Sequence, residues 1–193
     1  MTEPSPAQAP LTLTVVDGAR RRDPDALVAV CRALSSPVFS YFLRQTRSRA
    51  WADDLTGEVF VEVVRAIERF QGTPEGLRAW VFRIAHNTLV DHFRRESRRR
   101  HDSIEDAWEA RQVVEPGAGP ESEAVSAVER ERVIAFVHDL PPDQRDVVLL
   151  RLIAELPIAE VAALLGKSVG AVKALQNRAL RGLARRMGTD ADG

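Results

Sequence analysis

From Pro24 onward the apolar residues recur at intervals of three and four, not of two, and this confines nearly the whole chain to α-helices. The few glycines and prolines fall between the periodic stretches, where helix boundaries belong. No stretch reads as a strand. The spacing predicts helices over 24–34, 37–48, 53–69 and 75–99, and again over 142–154, 157–165 and 168–187. In the third of these, Leu55, Val59, Val63 and Ile67 form the core stripe. Gly72, Pro74 and Gly76 then break the pattern, and Thr73 followed by Pro74 opens the next helix, with a capping hydroxyl and a proline in the first turn. Pro157 and Ser168 mark the starts of the last two helices. The expected fold is all-α, with two small helical domains in 193 residues.

The charge distribution places the domain boundaries. The formal net charge is -1, but residues 24–100 hold 13 basic and 9 acidic side chains, residues 101–125 hold 1 and 7, and residues 126–188 hold 10 and 7. Two mildly basic blocks therefore flank an acidic connector. Residues 1–22, rich in Pro, Ala and Thr and closed by three arginines, read as a mobile leader. Residues 23–100 are the first domain, 101–125 a flexible acidic linker, 126–188 the second domain and 189–193 a tail. The linker's second half carries Pro116, Gly117, Gly119 and Pro120, while its first half admits a short helix.

Several function classes are disfavoured. His86, His92, His101 and His138 are scattered without metal-ligand spacing, and glycine-rich phosphate loops and nucleophile elbows are absent, so neither a metal site, a cofactor nor a catalytic residue is expected. Cys31, the one cysteine, has Leu27, Val28 and Leu34 at helical spacing and reads as a buried thiol without chemistry. Charges interrupt the apolar runs before a membrane span's length, and the start lacks a basic segment followed by an apolar one, so a cytoplasmic protein without direct membrane insertion is expected.

The segment from Pro157 to Arg186 fits a helix-turn-helix. Ala162 is small where the two helices cross, Gly166 suits the turn, and Val172 begins the second helix's buried face, with Val161, Leu165, Leu175 and Ala179 completing a shared core. Subtracting Val172, Leu175, Ala179 and Leu183 leaves Ala171, Lys173, Ala174, Asn177, Arg178 and Arg181 facing outward. That face suits a DNA groove, with backbone amides and Ser168 at its start for phosphate, and Lys173, Asn177 and Arg178 within reach of base edges.

Two faces stand out in the first block. Asp53, Asp54, Glu58 and Glu62 run beside the apolar stripe of 53–69, which Phe60 and Val64 widen, a combination that suits a protein partner. On the helix of 75–99, Arg78, Arg83, Arg94 and Arg95 alternate with Trp80, Phe82 and Phe93, and cations beside aromatics suit unpaired bases. The core reading is preferred for Phe82 and Phe93. Asp91 is placed to organise Arg94 or Arg95.

Residues 24–100, most clearly over 52–100, resemble the second conserved region of sigma-70 family RNA polymerase sigma factors of the extracytoplasmic-function (ECF) group, and residues 126–188, including 140–186, are similar to that group's fourth region. The resemblance implies that the acidic helix binds the clamp helices of core RNA polymerase. It also implies that Gln71, Gly72, Thr73 and Asn87 hold a base drawn from the non-template strand of the minus-10 element, and that the helix-turn-helix reads minus-35 promoter DNA. It further implies an anti-sigma factor as inhibitor, and a place for the acidic linker in the polymerase's product channel. The chain would bring polymerase to promoters and melt the upstream element without being an enzyme. Ala171 and Ala174 depart from the family's frequent hydroxylated residues, so the promoter sequence does not follow. The alternatives are a helix-turn-helix regulator acting without core polymerase, disfavoured because the first block lacks alternating strands, and an adaptor without DNA contact, disfavoured by the basic recognition helix.

Overall fold

A computed structural model describes residues 11–102 and 137–189, which fall into two compact units. The described residues are helical, without strands, as the periodicity requires.

The first unit contains α1 (Leu13–Arg20), α2 (Pro24–Thr46), α3 (Arg49–Ala66), a 3-10 turn (Ile67–Arg69) and α4 (Pro74–Asp102). Local chemistry starts each helix. The Thr12 hydroxyl accepts from the Val15 amide, Asp23 from the Asp25 amide ahead of Pro24, Ser48 from the Trp51 amide and Thr73 from the Gly76 amide. Arg47, at φ 57°, ends α2 in the left-handed region. α2 is the centre of the unit and packs against α1, α3 and α4. Its buried face carries Val30, Leu34, Val38, Tyr41 and Phe42, which meet Leu55, Val59, Val63 and Ile67 from the α3 side and Leu77, Val81, Phe82 and Leu89 from α4. Each such side chain contributes about 1.5–3 kcal/mol on burial. Tyr41 packs edge-on against Phe82 with centroids 5.8 Å apart, and its hydroxyl meets His86 Nδ1 at 3.0 Å.

Two sequence expectations change here. Part of the leader of 1–22 is folded: residues 13–20 form α1, with Val16 and Ala19 buried and Gly18 so close to α2 that an added Cβ would stand 2.7 Å from Ala26 Cβ. Residues 1–10 lie outside the described residues. The helices expected over 24–34 and 37–48 are one, continuous through Pro37. An interior proline costs about 3 kcal/mol. Burial of Leu34, Val38, Tyr41 and Phe42 on either side offsets that cost. By length and composition α2 is also apolar enough to cross a membrane, because Arg32 is the single charge between Ala26 and Leu43. Its packing against three neighbours is the use a core helix makes of the same sequence.

In the second unit Val137 and His138 are helical, followed by α5 (Pro142–Leu152), α6 (Ile158–Leu165) and α7 (Val169–Thr189). Val147, Leu149, Leu150, Leu156, Val161, Val172, Ala179 and Leu183 make its core. Arg145 donates to the carbonyls of His138 at 3.0 Å and Leu140 at 3.2 Å, and Arg151 to that of Leu156, so two cations tie the turns on either side of α5. The linker of 101–125 lies outside the described residues apart from the end of α4, and the tail of 189–193 apart from Thr189.

Candidate nucleic-acid and protein interfaces

α6, the turn and α7 form the helix-turn-helix expected from the sequence. Gly166 ends α6 at φ 63°, a conformation that penalises any residue with a Cβ, and its amide returns to the Ala162 carbonyl. Val161, Ala162, Val172, Leu175 and Ala179 are buried between the helices, while Leu165 is only half-buried. The Ser168 hydroxyl accepts from the Ala171 amide at 3.1 Å and so caps α7, leaving its own hydrogen to donate outward. Ala171, Lys173, Ala174, Asn177, Arg178 and Arg181 are all exposed. α7 carries five cations and no acid between Val169 and Thr189. Lys167, at the turn, is held by Asp143 of α5 at 3.1 Å. Sequence reasoning had passed over this pair, since nothing in the spacing brings residues 143 and 167 together.

In the first unit, α3 exposes Asp53, Asp54, Glu58 and Glu62. Asp53 lies 3.8 Å from Arg49, and Glu58 lies 3.5 Å from Arg95 of α4. Phe60 and Val64 are half-buried; the more exposed apolar residue of this face is Val61, at 50%. Removing the buried stripe Leu55, Val59 and Val63 from the helical pattern would have found it.

On α4, Trp80, Arg83, Asn87, Asp91 and Arg94 follow one another at intervals of three and four, hence along one face. Arg78 lies roughly 160° round the helix from Trp80 at about 100° per residue, so it belongs to another face. Phe82 is core, as preferred, but Phe93 is 43% exposed and is not. Arg94 pairs with Asp91 at 3.4 Å, the organising role expected of that acid. Trp80 is half-buried against Phe70, with centroids 5.3 Å apart. In the loop before α4, Gln71 and Thr73 are exposed, whereas Gly72 lies under the Phe70 ring, where a Cβ would stand 2.5 Å from Cζ. Thr73 caps α4, and its hydroxyl bond to Glu75 holds that carboxyl below its ordinary range. A groove of about 550 Å³ between α3 and α4 is lined by Glu58 and Glu62 on one wall and by Asn87, Asp91, Arg94 and Arg95 on the other. The acidic and basic sets predicted separately therefore meet in one cleft.

No group of His, Cys, Asp and Glu among the described residues could hold a metal ion. Cys31 is half-buried rather than buried, and burial pushes its thiol pKa up, away from reactivity.

Residues 30–99 match the family Sigma-70 region 2, and residues 130–183 match Sigma-70, region 4. Over 179 residues the chain is 31% identical to the ECF RNA polymerase sigma factor BldN of Streptomyces coelicolor, covering 93% of this chain and 67% of that protein. The chain belongs to the ECF group of sigma-70 factors. Another relative of this sigma factor is the ECF RNA polymerase sigma factor SigD of Mycobacterium tuberculosis, 31% identical over 160 residues, 81% of this chain and 69% of that one. The fold is shared with CnrH, solved with the cytosolic domain of CnrY (TM-score 0.65, 23% identity, 93% of this chain and 97% of that chain). It is shared also with RpoE of Bartonella quintana, solved with the anti-sigma factor NepR (TM-score 0.67, 19% identity, 83% and 95%). As a sigma factor the chain binds core RNA polymerase and promoter DNA and directs transcription initiation; it is not an enzyme.

Proposed function

We propose a division of labour among the surfaces of this sigma factor. α3, through Asp53, Asp54, Glu58, Phe60 and Glu62, is the docking surface for the clamp helices of core polymerase. Gln71, Gly72 and Thr73, with Trp80, Arg83, Asn87, Arg94 and Arg95, capture the melted minus-10 element; Arg78, expected from the sequence to join this set, lies on another face of α4. Ser168, Ala171, Lys173, Ala174, Asn177, Arg178 and Arg181 read the minus-35 duplex. The observation that carries the reading is α7, which exposes Lys173, Arg178, Arg181 and Arg185, contains no acid and follows the turn at Gly166. Its exposed alanines at 171 and 174 leave Lys173, Asn177 and Arg178 as the polar readers.

The acidic linker, with seven acids and one base over residues 101–125, repels DNA and suits the basic product channel of the polymerase. Two DNA-binding surfaces on a free factor need masking, and an anti-sigma factor, the partner of RpoE in its solved complex, fits that need. The chain acts in the cytoplasm, where core polymerase and chromosome meet. Run-off transcription with core polymerase and a genomic fragment library, followed by sequencing of the starts, tests the reading. Starts that share a minus-10 and a minus-35 element are expected. Starts that share only one element would remove the surface assigned to the missing one.

A further inference from the structure

α1 lies outside the stretch that matches Sigma-70 region 2, which begins at residue 30, yet its last residue reaches the loop ahead of α4. Arg20 Nε donates to the Phe70 carbonyl at 2.8 Å and Nη2 to the Gly72 carbonyl at 3.1 Å. Its third nitrogen, Nη1, donates to Asp17 at 3.1 Å and so anchors the guanidinium to α1 itself. The guanidinium carbon lies 5.5 Å from the centroid of the Phe70 ring, which also packs against Trp80 and covers Gly72. The two carbonyls flank Gln71. One planar cation therefore fixes the backbone on both sides of that residue, while the side chains of Gln71 and Thr73 stay exposed. The fork gives each of the three acceptors its own nitrogen in one plane, whereas a lysine at the same place has a single nitrogen for all of them.

We propose that Arg20 is a positioning residue for promoter recognition: it presets residues 70–73 in the conformation that receives a base, so that selectivity at the minus-10 element depends on α1. The inference rests on the reading that this loop captures a base. Its physical reason is that a loop ordered in advance does not lose binding free energy to its own ordering. The neighbouring Arg22 supplies a control, because it bonds Glu68 in the 3-10 turn and is bonded to neither loop carbonyl.

The test uses holoenzyme assembled with the full chain and the strongest promoter recovered from the genomic library. Bases of the non-template strand across the minus-10 element are replaced one at a time by abasic sites in pre-melted templates, and initiation is measured on each. The wild-type profile is expected to show a sharp loss at the captured position. Arg20→Ala and Arg20→Lys are each expected to shrink that loss about tenfold, the lower end of what a hydrogen bond to a charged group contributes, with melting temperatures recorded alongside. Arg22→Ala is expected to keep the wild-type profile, and a loss of selectivity equal to that of Arg20→Ala would overturn the specific role of Arg20. An unchanged profile in Arg20→Ala, a wild-type profile in Arg20→Lys, or an equal drop on every template would overturn the role of Arg20 and leave base capture standing. A flat wild-type profile would overturn base capture, and the role of Arg20 with it.

Discussion

His92 shows how one side chain ties pH to the stability of the first unit. Its ring lies 4.7 Å from Trp51, and its Nε2 is buried with no hydrogen-bond partner among the described residues. Burial holds its pKa below the ordinary 6.5; Glu96 and Glu58 oppose the shift, while Arg95 and Arg99 add to it. Asp54 completes the charged surround. Because the folded pKa is the lower one, the unfolded chain binds the proton more readily. Stability is therefore expected to fall as pH drops below about 6.5, down to the lowered folded value. Urea midpoints between pH 7.5 and 5.5 check this, with a shallower slope expected in His92→Phe; equal slopes would exclude the ring as the cause. In the second unit, Lys173→Ala and Arg178→Ala are each expected to weaken binding to minus-35 duplex and to lower the slope of log affinity against log salt by about one. Fluorescence anisotropy over a salt series measures it, and an unchanged slope removes that residue from the interface.

At the scale of elements, the helix-turn-helix was legible in the sequence because each of its boundaries is marked by a residue with a backbone reason to be there: Pro157, Gly166 and Ser168. The same holds for α4, opened by Thr73 and Pro74. α1 was not legible, since an eight-residue helix is unstable alone and exists by docking. Its start among prolines and threonines and its end in three arginines concealed the apolar pair Val16 and Ala19 that α2 covers. Pro37 misled in the opposite direction, because tertiary burial overrode a strong local breaker. Charge patterning found the exposed acids of α3 and the cations of α4, but spacing along one helix does not reveal pairs across two, such as Glu58 with Arg95. Gly18→Ala tests the docking of α1. The added methyl has Ala26 Cβ in its way, and α1 must shift or strain at a cost of about 1–3 kcal/mol. Chemical denaturation of the first unit is expected to move by that amount, and no change would mean that α1 adjusts freely against α2.

On the scale of the whole molecule, the chain carries two compact units, divided between Val113 and Val114, each with its own hydrophobic core. Covalent connection raises the effective concentration of one DNA-reading surface once the other is bound. Supplied as two separate chains, residues 1–113 and 114–193 are expected to lose roughly a hundredfold or more in transcription from promoters with both elements, measured by run-off assay at matched concentrations. Retained activity would show that polymerase alone positions both. The contact from Arg20 to the loop before α4 bears on any attempt to retune this factor. Exchanging residues 70–73 for those of a relative would transplant a loop without the clasp that shapes it. On the proposed role of Arg20, the portable module is the loop together with α1, and chimaeras joined at residue 23 rather than at residue 11 are expected to select the minus-10 element less sharply than either parent.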